Sequence, residues 1–135
     1  MPLTTRHQRG FSLIESLIAM VIFSVGVLSL VAAQAAAKQY SVDAQLHAEA
    51  MHHASGLIAQ MRLADPSTVA TQYSSPAGLA YVAWRDQLGG AERGLPGAAA
   101  LPPQVSIVGT TVSVQIFWVG MSQRTRRQLS LVTEL

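Results

Sequence analysis

Glu15 is the first acidic residue of the chain and the only charge between Phe11 and Ala37. An acid inside so apolar a stretch calls for a counter-ion, because a buried charge without a partner is strongly unfavourable. The sequence offers one if the backbone is cut between Gly10 and Phe11. The new α-amino group of Phe11 would then be a cation one helical turn ahead of Glu15, and a carboxylate near a helix N-terminus is also favoured by the helix dipole. One chain could neutralise itself, but the two groups can equally pair with those of a neighbouring chain. In that case the acid selects a defined axial offset between packed helices.

The segment that must position this pair is FSLIESLIAMVIFSVGVLSLVAAQAAA, preceded by the basic leader MPLTTRHQRG. Ser16 to Ala37 is a run of twenty-two uncharged residues; as a helix it covers roughly 33 Å, close to the ~30 Å of a bilayer core. Arg6 and Arg9 account for the whole net charge of +2, since the remaining seven basic residues are matched by seven acidic ones. Basic residues just ahead of an apolar span hold the N-terminus in the cytoplasm, and so balanced a remainder argues against nucleic-acid binding. Charged residues make up only 12% of the chain and apolar residues 50%. With Phe11 to Ala37 in lipid, the remaining roughly one hundred residues suffice for one small core. There is no cysteine, so that core must hold by packing alone even though the expected topology exports it to an oxidising compartment.

Two other readings of the N-terminus compete. An ordinary secretory signal would use Ala33-Gln34-Ala35 or Ala35-Ala36-Ala37 as its cleavage site, but the apolar region is longer than the usual 7–15 residues and contains an acid. A plain single-pass anchor leaves Glu15 unexplained, since an acid in a membrane helix costs up to about 2.5–3.5 kcal/mol at the centre, though less near an end.

Arg9-Gly10-Phe11-Ser12-Leu13-Ile14-Glu15 resembles the class III leader of type IV pilins and pseudopilins: basic residues, a glycine, an aromatic residue, and glutamate as the fifth residue after the glycine. The resemblance implies cleavage after Gly10 by the prepilin peptidase on the cytoplasmic side and N-methylation of Phe11 by the same enzyme. It also implies pairing of Glu15 with the N-terminal amine of an adjacent subunit during assembly. The expected organisation is a leader over 1–10 that is removed, a membrane-spanning and filament-core helix over 11–37, and a small periplasmic domain over 38–135. The small residues Ala19, Ser24, Gly26 and Ala33 suit close helix approach in lipid, although each is also ordinary in a membrane helix. Many major pilins carry a helix-kinking proline in the span; this one has none, with Ala32 near that place, so no local melting is expected.

Past Lys38 the helical period continues while the composition turns amphipathic. Val42, Leu46, Ala50, His53, Leu57 and Met61 fall on one face, which predicts one helix from about Phe11 to Arg62 or Leu63, ended by Ala64-Asp65-Pro66-Ser67. His47, His52 and His53 invite a metal hypothesis. Glu49 and His52 form one E-x-x-H pair, but bundle sites need further carboxylates and a second such pair from other helices, so a solvated or partly packed set is expected. Thr68 to Gly78 reads as a loop and Leu79 to Glu92 as a second helix, with Trp84 packed in the core rather than stacked on a ligand. Leu95 to Pro103 is a connector.

From Gln104 the period becomes two: Val105 and Ile107, then Val112, Val114, Ile116 and Trp118, then Leu129, Leu131 and Thr133. With turns at Gly109-Thr110 and Gly120 to Arg127 this predicts a three-stranded antiparallel meander, one face of which packs on the helices. Arg124, Arg126 and Arg127 are expected at a solvated hairpin tip, the alternative being an electrostatic contact with a partner or DNA.

The expected fold class is therefore α+β: a long N-terminal membrane-spanning helix continuing into a small domain with a short helix and a three-stranded antiparallel sheet. This order, with YVAWRDQL, then LPG, then VSIVGTTVSVQIFW and a last strand, is similar to minor pilins of the PilV type. The resemblance implies a subunit that helps initiate a type IV pilus. Its partners would be other minor pilins, the major pilin and the prepilin peptidase in the inner membrane, and its final location the pilus at the cell surface. A minor pseudopilin of a type II secretion system shares the same physical logic, and a pilus-borne adhesin or DNA-binding module is a third possibility. No G-x-S-x-G, H-E-x-x-H, phosphate-binding glycine loop or cysteine nucleophile is present, and neither an enzyme nor a cofactor is expected.

Overall fold

A computed structural model of the chain describes residues 9–90, 94–121 and 124–135, with side chains from Ser12 onward. The elements are α1 (Arg9–Leu63), α2 (Pro66–Tyr73), α3 (Leu79–Leu88), β1 (Gln104–Val108), β2 (Thr111–Val119) and β3 (Arg126–Glu134). The chain divides into two compact units, the first ending at Lys38 and the second spanning Gln39–Leu135. A long apolar helix, short helices and a three-stranded antiparallel sheet make up the pilin-like α+β fold expected from the sequence.

In the first unit α1 is apolar on every side. Leu13, Ile14, Leu17, Ile18 and the large apolar residues through Val31 are all exposed. The hydroxyls in this stretch turn inward to the backbone: Ser16 Oγ donates to the Ser12 carbonyl at 2.8 Å, Ser24 to Met20 at 2.7 Å and Ser29 to Val25 at 2.8 Å. Each hydroxyl is thereby satisfied without water, as an apolar surrounding requires.

In the second unit the same helix presents a stripe. Leu46, Ala50, Ala54, Leu57, Ile58 and Met61 are buried, at the three- and four-residue steps that keep side chains on one face. The expected stripe starts one step later than the sequence pattern, since Val42 is 37% exposed and His53 is half-buried. Alanine at positions 50 and 54 lets neighbouring elements close on the helix, and Leu57 and Met61 fill the space between them.

The stretch from Thr68, expected as a loop, is largely helical. Asp65 stops α1 and starts α2: its carboxylate accepts from the Ser67 amide at 2.9 Å and from the Ser67 hydroxyl at 2.7 Å, and Pro66 occupies the first helical position, where its missing N–H costs nothing. Val69 and Tyr73, four residues apart, face the core. The chain then turns through Ser74 to Gly78, where a side chain on Gly78 would collide with the Gln72 carbonyl.

α3 ends at Leu88, earlier than expected, because two glycines cap it: the Gly89 amide donates to the Arg85 carbonyl at 3.1 Å and the Gly90 amide to the Gln87 carbonyl at 3.3 Å; Glu92 lies outside the described residues. Tyr81, Trp84 and Leu88 form its buried face. Trp84 is core, as expected, and its indole N–H donates to the His53 carbonyl at 3.2 Å. The Tyr81 hydroxyl, buried, donates to the Pro103 carbonyl at 2.6 Å. Burial pushes that hydroxyl's pKa up, and the charge of Arg85 opposes the shift.

The sheet order is β1-β2-β3, both pairs antiparallel. Val105, Val112, Val114, Ile116, Trp118 and Leu129 are buried and belong to the core with Leu57, Met61 and Trp84. Period two thus marks the core face as expected. The opposite face holds one buried aromatic ring, Phe117, covered by the Arg126 guanidinium 4.3 Å from its centroid. The turn between β2 and β3 includes residues 122–123, which lie outside the described residues.

Candidate functional site

The N-terminal candidates lie on one helix. Gly10, Phe11 and Glu15 are all within α1, so Glu15 follows Phe11 by four residues, slightly more than one turn. Glu15 is exposed, as are Leu13, Ile14, Leu17 and Ile18 around it. Met1 to Gln8, with the leader cation Arg6, lie outside the described residues. Across Leu13 to Val31 the helix carries apolar side chains whose removal from water is worth on the order of tens of kcal/mol. Among the described residues, this is the one helix long and apolar enough to cross a membrane. It is consistent with one membrane-spanning segment.

Within the second unit the charged residues make structural ties. Asp43, whose side chain is 15% exposed, accepts from the Met121 amide at 2.8 Å and pairs with Arg127 at 3.5 Å. It thereby fastens the end of β2 and the start of β3 to α1. Arg124, Arg126 and Arg127 are all exposed, as expected, but two of them also make contacts: the Arg126 guanidinium stacks on Phe117 and Arg127 pairs with Asp43. The cause is that β3 begins at Arg126, so both guanidiniums lie along strands rather than beyond them. The role of Asp43 is not legible in the sequence, because an isolated acid on an amphipathic helix gives no signal of a partner far along the chain. Arg126 over Phe117 gave no signal either, because Gly120 to Arg127 reads as a turn in the sequence whereas β3 already begins at Arg126.

His47 and His52 are exposed and His53 is half-buried. The His47 ring lies 5.9 Å from that of Trp118, and the His52 and His53 rings meet edge-on at 6.2 Å. Among the described residues no group of three or more His, Asp or Glu side chains is placed to hold a metal ion. A cavity of about 330 Å³ between Met61, Ala64, Val69 and Ile107 is lined mostly by apolar atoms. Arg62 at its rim donates to the Thr133 hydroxyl and the Glu134 carbonyl, so its charge closes the end of β3. No acid, base and nucleophile converge there.

Residues 5–31 match the family described as the prokaryotic N-terminal methylation motif. Comparisons with curated proteins and with solved structures return no match. The motif and the long apolar helix are consistent with the type IV pilin and pseudopilin superfamily.

Proposed function

We propose that the chain is a minor pilin of the PilV type that is cleaved after Gly10, N-methylated on Phe11, and takes part in initiating a type IV pilus. The observation that carries this reading is the methylation-motif match over residues 5–31, with Glu15 four residues past Phe11 on a helix that is apolar on all sides. Such a helix finds low-energy surroundings in lipid or against other apolar helices. In either, a carboxylate is tolerated only beside a cation. The cation is the methylated amine of Phe11 on a neighbouring subunit, and satisfying it sets the axial offset at which subunits add. The partners are other minor pilins and the major pilin, with the prepilin peptidase acting first. The second unit, held in the periplasm, selects the next subunit by its surface.

The test is a Glu15→Ala strain. Membrane insertion should persist, because removing a charge only makes the span more apolar, while the protein disappears from sheared filaments. Wild-type amounts of the variant in those filaments would remove the charge-pairing mechanism.

A further inference from the structure

The sheet has two edges, and they are not equivalent. β1 is five residues long, and its outer side is occupied: the Ser75 amide donates to the Val105 carbonyl at 3.1 Å, and the Ser75 hydroxyl accepts from the Val105 amide at 3.2 Å. β3 is nine residues long. Its inward-facing backbone groups follow from its ends, where the Leu135 amide donates to Thr110 and the Thr125 carbonyl accepts from Gly120. Odd-numbered residues of β3 therefore bond to β2, and the amides and carbonyls of Arg126, Gln128, Ser130, Val132 and Glu134 point outward. All five residues are exposed, Val132 to 64%. Among the described residues their outward backbone groups have no backbone partner beyond the sheet; Arg62 reaches the Glu134 carbonyl at 3.3 Å. An open strand of this length is a template for another strand.

We propose that the outer edge of β3 pairs antiparallel with β3 of a second copy of this chain, about a two-fold axis at Ser130, joining two three-stranded sheets into one of six strands. The occupant follows from charge. In this register Ser130 faces Ser130, Gln128 faces Val132, and Arg126 faces Glu134 at both ends. Directly opposed residues on one face lie about 5 Å apart at Cβ, close enough for ion pairs to form. Arg126 keeps its face on Phe117, leaving the edge N–H groups of the guanidinium for the partner's carboxylate. Arg124 adds positive charge at the same end. Parallel pairing in register would set Arg126 against Arg126 and Glu134 against Glu134, which is repulsive, so the strand is complementary to itself only when reversed. This is the isologous contact of a two-fold dimer. It depends on strand geometry and owes nothing to the N-terminal cleavage reading.

The absence of cysteine makes the test direct. Ser130→Cys places the only thiol at the two-fold axis, where hydrogen-bonded antiparallel partners have Cα atoms about 5.5 Å apart, within disulfide reach. With the full chain in phospholipid vesicles under mild oxidation, Ser130→Cys should form disulfide-linked dimers several-fold faster than Ser106→Cys on β1. Adding Glu134→Arg should reduce the rate to that of the control, and adding Arg126→Glu as well should restore it. Val132→Pro removes an outward amide that β2 does not use, so it should abolish cross-linking while leaving circular dichroism unchanged. Equal rates for positions 130 and 106, or rates indifferent to Glu134→Arg and Val132→Pro, would overturn the proposal.

Discussion

The two units of the chain spend their apolar residues in opposite ways. From Leu13 to Val31 the large side chains of α1 are exposed, and the hydroxyls satisfy themselves on the backbone. From Gln39 onward the same kinds of residue are enclosed by α2, α3 and the sheet, and the polar groups among them are tied by specific bonds: Asp43 to Met121, Tyr81 to Pro103, Trp84 to His53. Leucine at position 17 and leucine at position 57 are chemically identical, yet one is 55% exposed and the other 1%. The lesson is that the second unit carries its own core, whereas the large apolar side chains of the first, among the described residues, belong to none.

That contrast can be broken most severely by cutting the units apart. A chain beginning at Gln39 should stay in the soluble fraction and keep the far-ultraviolet dichroism of its helices and strands, with membrane sedimentation lost altogether; precipitation or a random-coil spectrum would mean that the second unit needs the first. The paired leucines sharpen it next. Leu57→Ala should destabilise the second unit by about 2–5 kcal/mol in urea unfolding, while Leu17→Ala should change the same transition by less than about 0.5 kcal/mol. Equal effects would erase the distinction.

Smaller effects test the polar ties. Tyr81→Phe leaves the Pro103 carbonyl without its donor and should cost about 1–3 kcal/mol. Because burial raises the Tyr81 pKa, the hydroxyl favours folding while it is neutral. That contribution is complete below the ordinary tyrosine pKa and is lost as the pH rises through the higher value of the folded state, so the wild-type advantage should vanish in strong alkali. The least effect is expected at the exposed Asp65. The Ser67 hydroxyl and then the Ser67 amide hold its carboxyl below the usual aspartate range. The ionised cap therefore stabilises α2 above the ordinary aspartate pKa, and its contribution fades as the pH falls through the lowered one. Asp65→Asn keeps a capping acceptor, and its melting temperature should lose that acid-side dependence relative to wild type.

Much of this is legible in the amino-acid sequence. The three strands declare themselves because alternation at Val112, Val114, Ile116 and Trp118 has no helical equivalent, and the end of α1 falls where Pro66 forbids continuation. The same residues concealed α2. Asp65-Pro66-Ser67 ends one helix and caps the next, and in an eight-residue segment with only Val69 and Tyr73 buried, the polar remainder masks the period. The contacts made by the exposed arginines were hidden for a different reason. Charge runs are usually solvated, but here strand register brings Arg126 over Phe117, and the Asp43 carboxylate lies within reach of Arg127, facts of packing rather than of local pattern. For Gly10, Phe11 and Glu15 the opposite holds: their meaning is carried by spacing, and the helix adds that Glu15 stands one turn on from Phe11, among exposed apolar side chains.

The mass of the mature N-terminal peptide tests the account most directly. A chain that starts at Phe11 and is heavier than the unmodified peptide by one methyl group is the expected result. A mature protein that retains Met1 to Gly10, or that starts at Ala36 or Lys38, would contradict it.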